Sequence, residues 1–188
     1  MKLKPVLVDV DPNTFTILPE KVDQHITHLT KVIVPVHLYG QCAEMEPLLK
    51  IADDNNLVII EDSCQALGTE YIFSNGMAAK AGTLGNIACN SFFPTKNLGA
   101  FGDGGAIYTN NHQLAQNMRS IANHGMSKRY YYQQIGLNSR LDALQAAILN
   151  VKLKYLDSYI AARQSFADYY DRKLADISEI VIPSRASF

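Results

Sequence analysis

Three short apolar runs stand out in the first third of the chain, at residues 5–10, 32–36 and 57–60. They are continuous rather than alternating, as strands covered on both faces read. Between them lie stretches with the chemistry of helix starts. In residues 18–26, Pro19 and Glu20 occupy the first turn, where a missing N–H and a negative charge both suit an N-terminus. Residues 46–55 open the same way, and Asn55-Asn56 supplies a stop. Strands alternating with helices predict a parallel α/β sheet with right-handed crossovers. Residues 86–93 and 105–109 read as further strands, with a helix from about 111 to 122. The stretch 74–85 is polar and glycine-containing, and 130–138 is aromatic, Gln-rich and non-periodic, an exposed loop. Ser139-Arg-Leu-Asp142 has the form of a capping box. Beyond it apolar residues recur at helical spacing towards Leu174, predicting one long amphipathic helix, and residues 180–183 read as a closing strand.

Composition narrows the class. The chain has 188 residues, room for one compact unit with a real core. Hydrophobic residues make up 47% and charged residues 19%, within the globular range. A formal charge of −1 argues against a nucleic-acid or anionic-membrane partner, both of which need a basic face. The apolar runs fall far short of the ~20 residues of a spanning helix. Lysines and an apolar run at the start give a superficial likeness to a signal peptide, but Asp9 interrupts the run and no small-residue cleavage site follows. A soluble, cytoplasmic chain is expected. Cys42, Cys64 and Cys89 are odd in number and form no CxxC pair, so neither a disulfide framework nor a zinc knuckle is expected.

Parallel α/β sheets bind ligands outside the carboxyl ends of their strands, and Asp62 follows such an end directly. A strand-end acid can equally be a helix cap or a solvated carboxylate. Adjacent Glu61 does not complete a metal site, because consecutive strand residues face opposite ways; no metal is expected. Lys96 follows the 86–93 strand and precedes a glycine-rich turn, which predicts a place in a cleft. The competing reading is a solvated surface charge, the usual state of a lysine. Desolvation or nearby cations make a lysine amine nucleophilic, the condition for Schiff-base chemistry. Gly99, Gly102, Gly104 and Gly105 precede a strand rather than a helix, so they form no dinucleotide fingerprint, and there is no P-loop.

Four strings carry more: Pro35-Val-His-Leu-Tyr-Gly-Gln41, Glu61-Asp-Ser-Cys-Gln-Ala-Leu-Gly68, Ser91-Phe-Phe-Pro-Thr-Lys-Asn-Leu-Gly-Ala-Phe-Gly-Asp-Gly-Gly105 and Gly136-Leu-Asn-Ser-Arg-Leu-Asp-Ala-Leu-Gln-Ala-Ala147. In this order they closely resemble the pyridoxal-phosphate-dependent nucleotide-sugar aminotransferases of the DegT/DnrJ/EryC1/StrS family. The resemblance runs from about Pro5 to about Leu174. It implies an α/β fold, the fold-type-I major domain of PLP-dependent transferases, three-layered with a mostly parallel sheet and here truncated at both ends. It divides the chain into a partial PLP-binding large domain (1–140), a long linking helix (141–175) and the start of a truncated C-terminal small domain (176–188).

By the same resemblance Lys96 matches the lysine that holds pyridoxal 5'-phosphate covalently. Asp62 matches the acid that pairs with the pyridine nitrogen, which lets the ring accept electrons. Gln65 matches a residue lying against the ring, and Ser91 a hydroxyl on the phosphate. Asn138 matches an asparagine that reaches the phosphate from a neighbouring subunit, and Arg140 a contact for an anionic substrate group. The implied reaction moves an amino group, with glutamate as donor, onto a nucleotide-linked keto-sugar in surface-polysaccharide or amino-sugar biosynthesis. Lys96-Asn-Leu-Gly99, Asn123-His-Gly125 and Arg129-Tyr130 look more like members aminating C3 than C4. A homodimer with shared active sites is implied. The rival readings are a regulatory or binding relative and an inactive fragment that only self-associates; the retained Lys96 argues against the first.

Overall fold

A computed structural model of the chain describes residues 3–188. In chain order its elements are α1 (Pro19–His25), β1 (Val32–Ile33), α2 (Met45–Asp54), β2 (Val58–Asp62), β3 (Glu70–Ile72), β4 (Ala78–Lys80) and β5 (Ile87–Ser91). There follow β6 (Gly105–Tyr108), α3 (His112–Ala122), β7 (Met126–Lys128), β8 (Tyr131–Tyr132), α4 (Ala143–Leu153) and α5 (Leu156–Leu174). The central sheet has the order β1-β2-β5-β6, with β1, β2 and β5 parallel and β6 antiparallel to β5. The mostly parallel α/β architecture expected from the sequence is therefore present.

The main core forms where α1 and α2 cover one face of β1 and β2. Val22, Leu48 and Ala52 from the helices meet Ile33 and Ile59 from the strands. A second cluster joins Phe92, Leu98 and Ala100, just after β5, to Leu149 of α4 and Leu156 of α5.

Four sequence expectations are corrected. Residues 5–10 form no strand: Leu3, Val6 and Leu7 are exposed, and only Val10 makes a bridge, to Ile17. Asp11 Oδ1 accepts the N–H groups of Asn13 and Thr14, which turns the chain instead of extending it. Residues 180–183 likewise lie outside any strand; the tail folds back, with Ser184 N–H donating to Asn13 O and Gln41 bonded to Ser184 and Ala186. The capping box at Ser139 is not used. Leu137 and Ser139 donate their N–H groups to Ile121 O and Ala122 O at the end of α3, so α4 starts only after Asp142. The long helix is also two helices, interrupted at Tyr155 (φ −110°, ψ 3°). The stretch 74–85 contains an element that the periodicity did not reveal, since β3 and β4 pair as a hairpin around Asn75-Gly76. Its Tyr71 is buried, and its hydroxyl accepts Glu46 N–H at the start of α2.

One fully buried carboxylate locks the strand that carries the site. Glu61 Oε1 accepts the N–H groups of Leu84 (2.7 Å) and Gly85 (2.5 Å), and Oε2 accepts Gly82 N–H (2.7 Å) and His37 Nε2 (2.9 Å). His37 Nδ1 accepts Ala43 N–H, which puts the ring proton on Nε2 and aims it at Glu61. Burial pushes the Glu61 carboxyl up, but the bonds from His37, Gly85 and Gly82 outweigh it and hold it below the ordinary range. Its stabilisation is therefore complete above the unfolded-state value of 4.5 and lost as pH falls through the lower folded value. Glu61→Gln points an amide NH2 at main-chain donors and should cost about 3 kcal/mol in urea unfolding at pH 7. The variant's stability should also fall less steeply than that of the parent below pH 4.5. Superimposable acid profiles would contradict the role assigned to Glu61.

Candidate active site

The pleat of β2 separates two acids. Ile59 and Glu61 face the main core, whereas Ile60 and Asp62 face the other side. Asp62 is the register partner of Cys89, and Ser91 lies two residues further along β5 on the same face. The carboxyl ends of two parallel strands thus place Asp62, Cys89 and Ser91 side by side, all half-buried. The turn after β2 is tied to β5: Ser63 donates both its N–H and its Oγ–H to Cys89 O, each at 2.9 Å. Cys64 N–H donates to Asp62 Oδ1 (3.1 Å) and fixes the carboxylate. Gln65 is half-buried, and its Oε1 accepts Tyr39 N–H at 3.4 Å.

After β5 the chain forms a closed loop. Ala100 N–H donates to Phe92 O (2.7 Å), Ser91 Oγ accepts Phe93 N–H (3.2 Å), and Lys96 N–H donates to Phe93 O (2.9 Å). Gly99 runs against the Pro94 carbonyl so closely that a Cβ has no room, which explains a glycine there. Lys96 is half-buried, close enough to Cys64 for its charge to act on that thiol. Among the described residues neither Lys96 nor Asp62 belongs to a salt bridge.

The two thiols escaped the sequence reading, because strand register, not spacing, unites them. One donor atom each from Asp62, Cys64 and Cys89 lies within 4.8 Å of the others. Burial first, then the hydrogen bond and charge of Asp62, push Cys64 up to about 12, and Lys96 opposes this only weakly. Burial and then the Asp62 charge raise Cys89 as well. Both thiols are protonated at neutral pH and are not nucleophiles. Glu61 stays apart, engaged by its four donors on the opposite face.

Of the six candidate residues, the structure gathers Asp62, Gln65, Ser91 and Lys96 around the ends of β2 and β5. Asn138 and Arg140 line a cleft of about 990 Å³ beside β6 and α3 that reaches Cys89 but includes neither Asp62 nor Lys96. Asn138 is exposed and bridges Asn123 through its backbone. The gathered set suits pyridoxal phosphate by its donor chemistry: an acid for a ring N–H, an amine for a carbonyl and a hydroxyl for a phosphate oxygen. Both charged members remain free of ion pairs among the described residues, so the fit holds. No helix among the described residues is long and apolar enough to cross a membrane.

The profile of the DegT/DnrJ/EryC1/StrS aminotransferase family matches residues 1–187. The chain is 49% identical over 180 residues to a pleiotropic regulatory protein of Geobacillus stearothermophilus, covering 95% of this chain and 47% of that one. It is 45% identical to a UDP-2-acetamido-2-deoxy-3-oxo-D-glucuronate aminotransferase of Pseudomonas aeruginosa, over 93% of this chain and 47% of that one. Among solved structures it is similar to S. venezuelae DesV, with a TM-score of 0.89 and 41% identity, over 97% of this chain and 48% of that chain. The chain spans about half the length of the curated relatives it matches.

The Asp62 charge gives a direct check on the assembled site. Asp62→Asn removes one cause of the raised thiol pKa values, so iodoacetamide should modify Cys64 and Cys89 roughly two- to fivefold faster at pH 8. Cys42, pushed up to about 12 by burial and by Glu61, serves as an unchanged reference in the same mass spectra. Equal rates at Cys64 and Cys89 in parent and variant would contradict the proximity of Asp62 to the two thiols.

Proposed function

This chain belongs to the DegT/DnrJ/EryC1/StrS aminotransferase family, and from that premise we propose that it carries the cofactor-binding centre of a cytoplasmic aminotransferase acting on a nucleotide-linked keto-sugar. Aminotransferases of this family depend on pyridoxal phosphate. The observation that carries the reading is Asp62, paired with Cys89 at the ends of adjacent parallel strands, and the Lys96 loop that follows β5, both groups close enough to act on the Cys64 thiol and neither engaged in a salt bridge among the described residues. When bound, the cofactor supplies an electron sink for the charge left as a proton departs the carbon bearing the amine.

The chain's own residues do the rest. Asp62, fixed by Cys64 N–H, would hold a proton on the ring nitrogen through its carboxylate. Lys96 Nζ would be the covalent anchor and, as a free amine, would carry the proton as base and then acid. Gln65, oriented by Tyr39 N–H, would lie against the ring, and Ser91 Oγ would donate to the phosphate. Asn138 and Arg140 stand in a cleft that touches the site only at Cys89 and includes neither Lys96 nor Asp62, which supports a site completed by two subunits, with Asn138 reaching a partner's phosphate and Arg140 an anionic substrate group. Residues 1–140 then belong to a large domain, 141–175 link onward, and 176–188 begin a second domain. Glutamate is the proposed donor and C3 of the sugar the proposed position; the 3-oxo substrate named for the Pseudomonas relative supports C3. The name of the Geobacillus relative favours a second reading, a scaffold serving regulation without turnover.

Two experiments on the full-length enzyme test the proposal. Borohydride reduction with bound pyridoxal phosphate, followed by peptide mapping, should label Lys96. A label on Lys80 or Lys128 instead would overturn the assignment of Lys96, and no label at all would favour the regulatory scaffold. For the shared site, Lys96→Ala and a disabling Asn138 substitution are made separately, and the two inactive proteins are then unfolded, mixed and refolded. About a quarter of the parental activity should return, because half the dimers are mixed and each has one intact site. No recovery despite proven mixed dimers would mean that Asn138 does not serve across the interface.

A further inference from the structure

One stripe of α4 holds the loop that presents Lys96. Gln145, Leu149, Lys152 and, beyond the break, Leu156 follow one another at helical spacing. Leu149 and Leu156 pack on Phe92, Leu98 and Ala100 of the loop. The two polar members bind its backbone: Gln145 Oε1 accepts Phe101 N–H at 2.8 Å, and Lys152 Nζ donates to Gly99 O. Lys152 also lies 5.8 Å from the centroid of the Phe101 ring. At Gly102 a Cβ would come within 3.1 Å of Gln145 Nε2, so the loop passes directly over this side chain.

Packing alone does not account for this choice of residues, since apolar side chains would cover Phe92 and Leu98 equally well. A half-buried lysine loses hydration and side-chain freedom, and here its one main-chain partner is the buried Gly99 carbonyl, three residues beyond Lys96. At its other end the loop is pinned by β5 and by the Ala100–Phe92 bond. With Gly99 and Phe101 also fixed, Lys96 sits between two anchored points.

We propose that Lys152 and Gln145 are positioning residues for Lys96, holding its amine at the site by anchoring the backbone at Gly99 and Phe101. The proposal rests on the reading of Lys96 as the cofactor lysine. Neither residue touches the cofactor; each acts through the loop. Lys152→Met keeps length and apolar contact but deletes the donor, leaving the Gly99 carbonyl buried and unpaired, whereas Lys152→Arg restores a donor.

The test measures the rate of Lys96 modification by pyridoxal phosphate with borohydride trapping in the full-length enzyme, with Lys21 as an exposed reference. Lys152→Met should slow the label at Lys96 by about fivefold or more, since a misplaced amine loses its near-attack geometry, and leave Lys21 unchanged. Lys152→Arg should return the Lys96 rate to within about twofold of the parent. Hydrogen exchange should quicken in the peptide spanning 92–103 but not in that spanning 45–62, which separates a local anchor from general loss of stability. Should Lys152→Met fail to fold, Gln145→Leu carries the same expectations through Phe101. An unchanged Lys96 rate, or equal slowing in the Met and Arg variants, overturns the positioning role while leaving the cofactor lysine intact. Absence of any Lys96 label in the parent overturns the cofactor reading and the positioning role together.

Discussion

The site depends on the register of β2, and that register depends on the buried Glu61 carboxylate. A charge with no solvent access is tolerable only when its lone pairs are filled. Here four donors from two separate segments fill them: the His37 ring, and the Gly82, Leu84 and Gly85 amides that lead into β5. A slip of one residue would exchange Glu61 and Asp62 between faces, burying the wrong acid and exposing the other. The polar hub thus fixes which carboxylate meets the core and which meets a ligand. The same contacts draw the turn before β5 against β2, and so bring Cys89 and Ser91 level with Asp62.

Much of the sheet was legible in the sequence because its strands are short and continuously apolar. Residues 57–60, 86–93 and 105–109 became β2, β5 and β6 with shifts of one or two positions. The first and last apolar runs look the same in sequence but form no ladder, since a run predicts strand tendency and not the presence of a partner. The β3–β4 hairpin was missed although Asn75-Gly76 is a strong turn signal, with Gly76 at φ +82°. The flanking strands have three residues each, too few for alternation to register. Ser139 failed as a cap because its amide is taken by α3, a tertiary bond that no local pattern announces.

At the site, residue types and motif order were enough to nominate Asp62, Gln65, Ser91 and Lys96. What they left out was everything set by contact between distant segments: the two thiols beside Asp62, the His37–Glu61 pair behind it, and the α4 stripe under the Lys96 loop. These contacts explain how an ordinary lysine and an ordinary aspartate come to lie in one half-buried place with no protein counter-ion among the described residues. Asn138 and Arg140 line a neighbouring cleft that meets the site at Cys89.

The central claim is that the ends of β2 and β5 form one site in which Lys96 links covalently to pyridoxal phosphate. Titrating the protein with that cofactor while recording its visible absorption tests the claim most directly. A saturable band of the amine-linked cofactor is expected, which Lys96→Ala abolishes and Lys80→Ala and Lys128→Ala leave in place. No band, or a band of equal strength in Lys96→Ala, would contradict it.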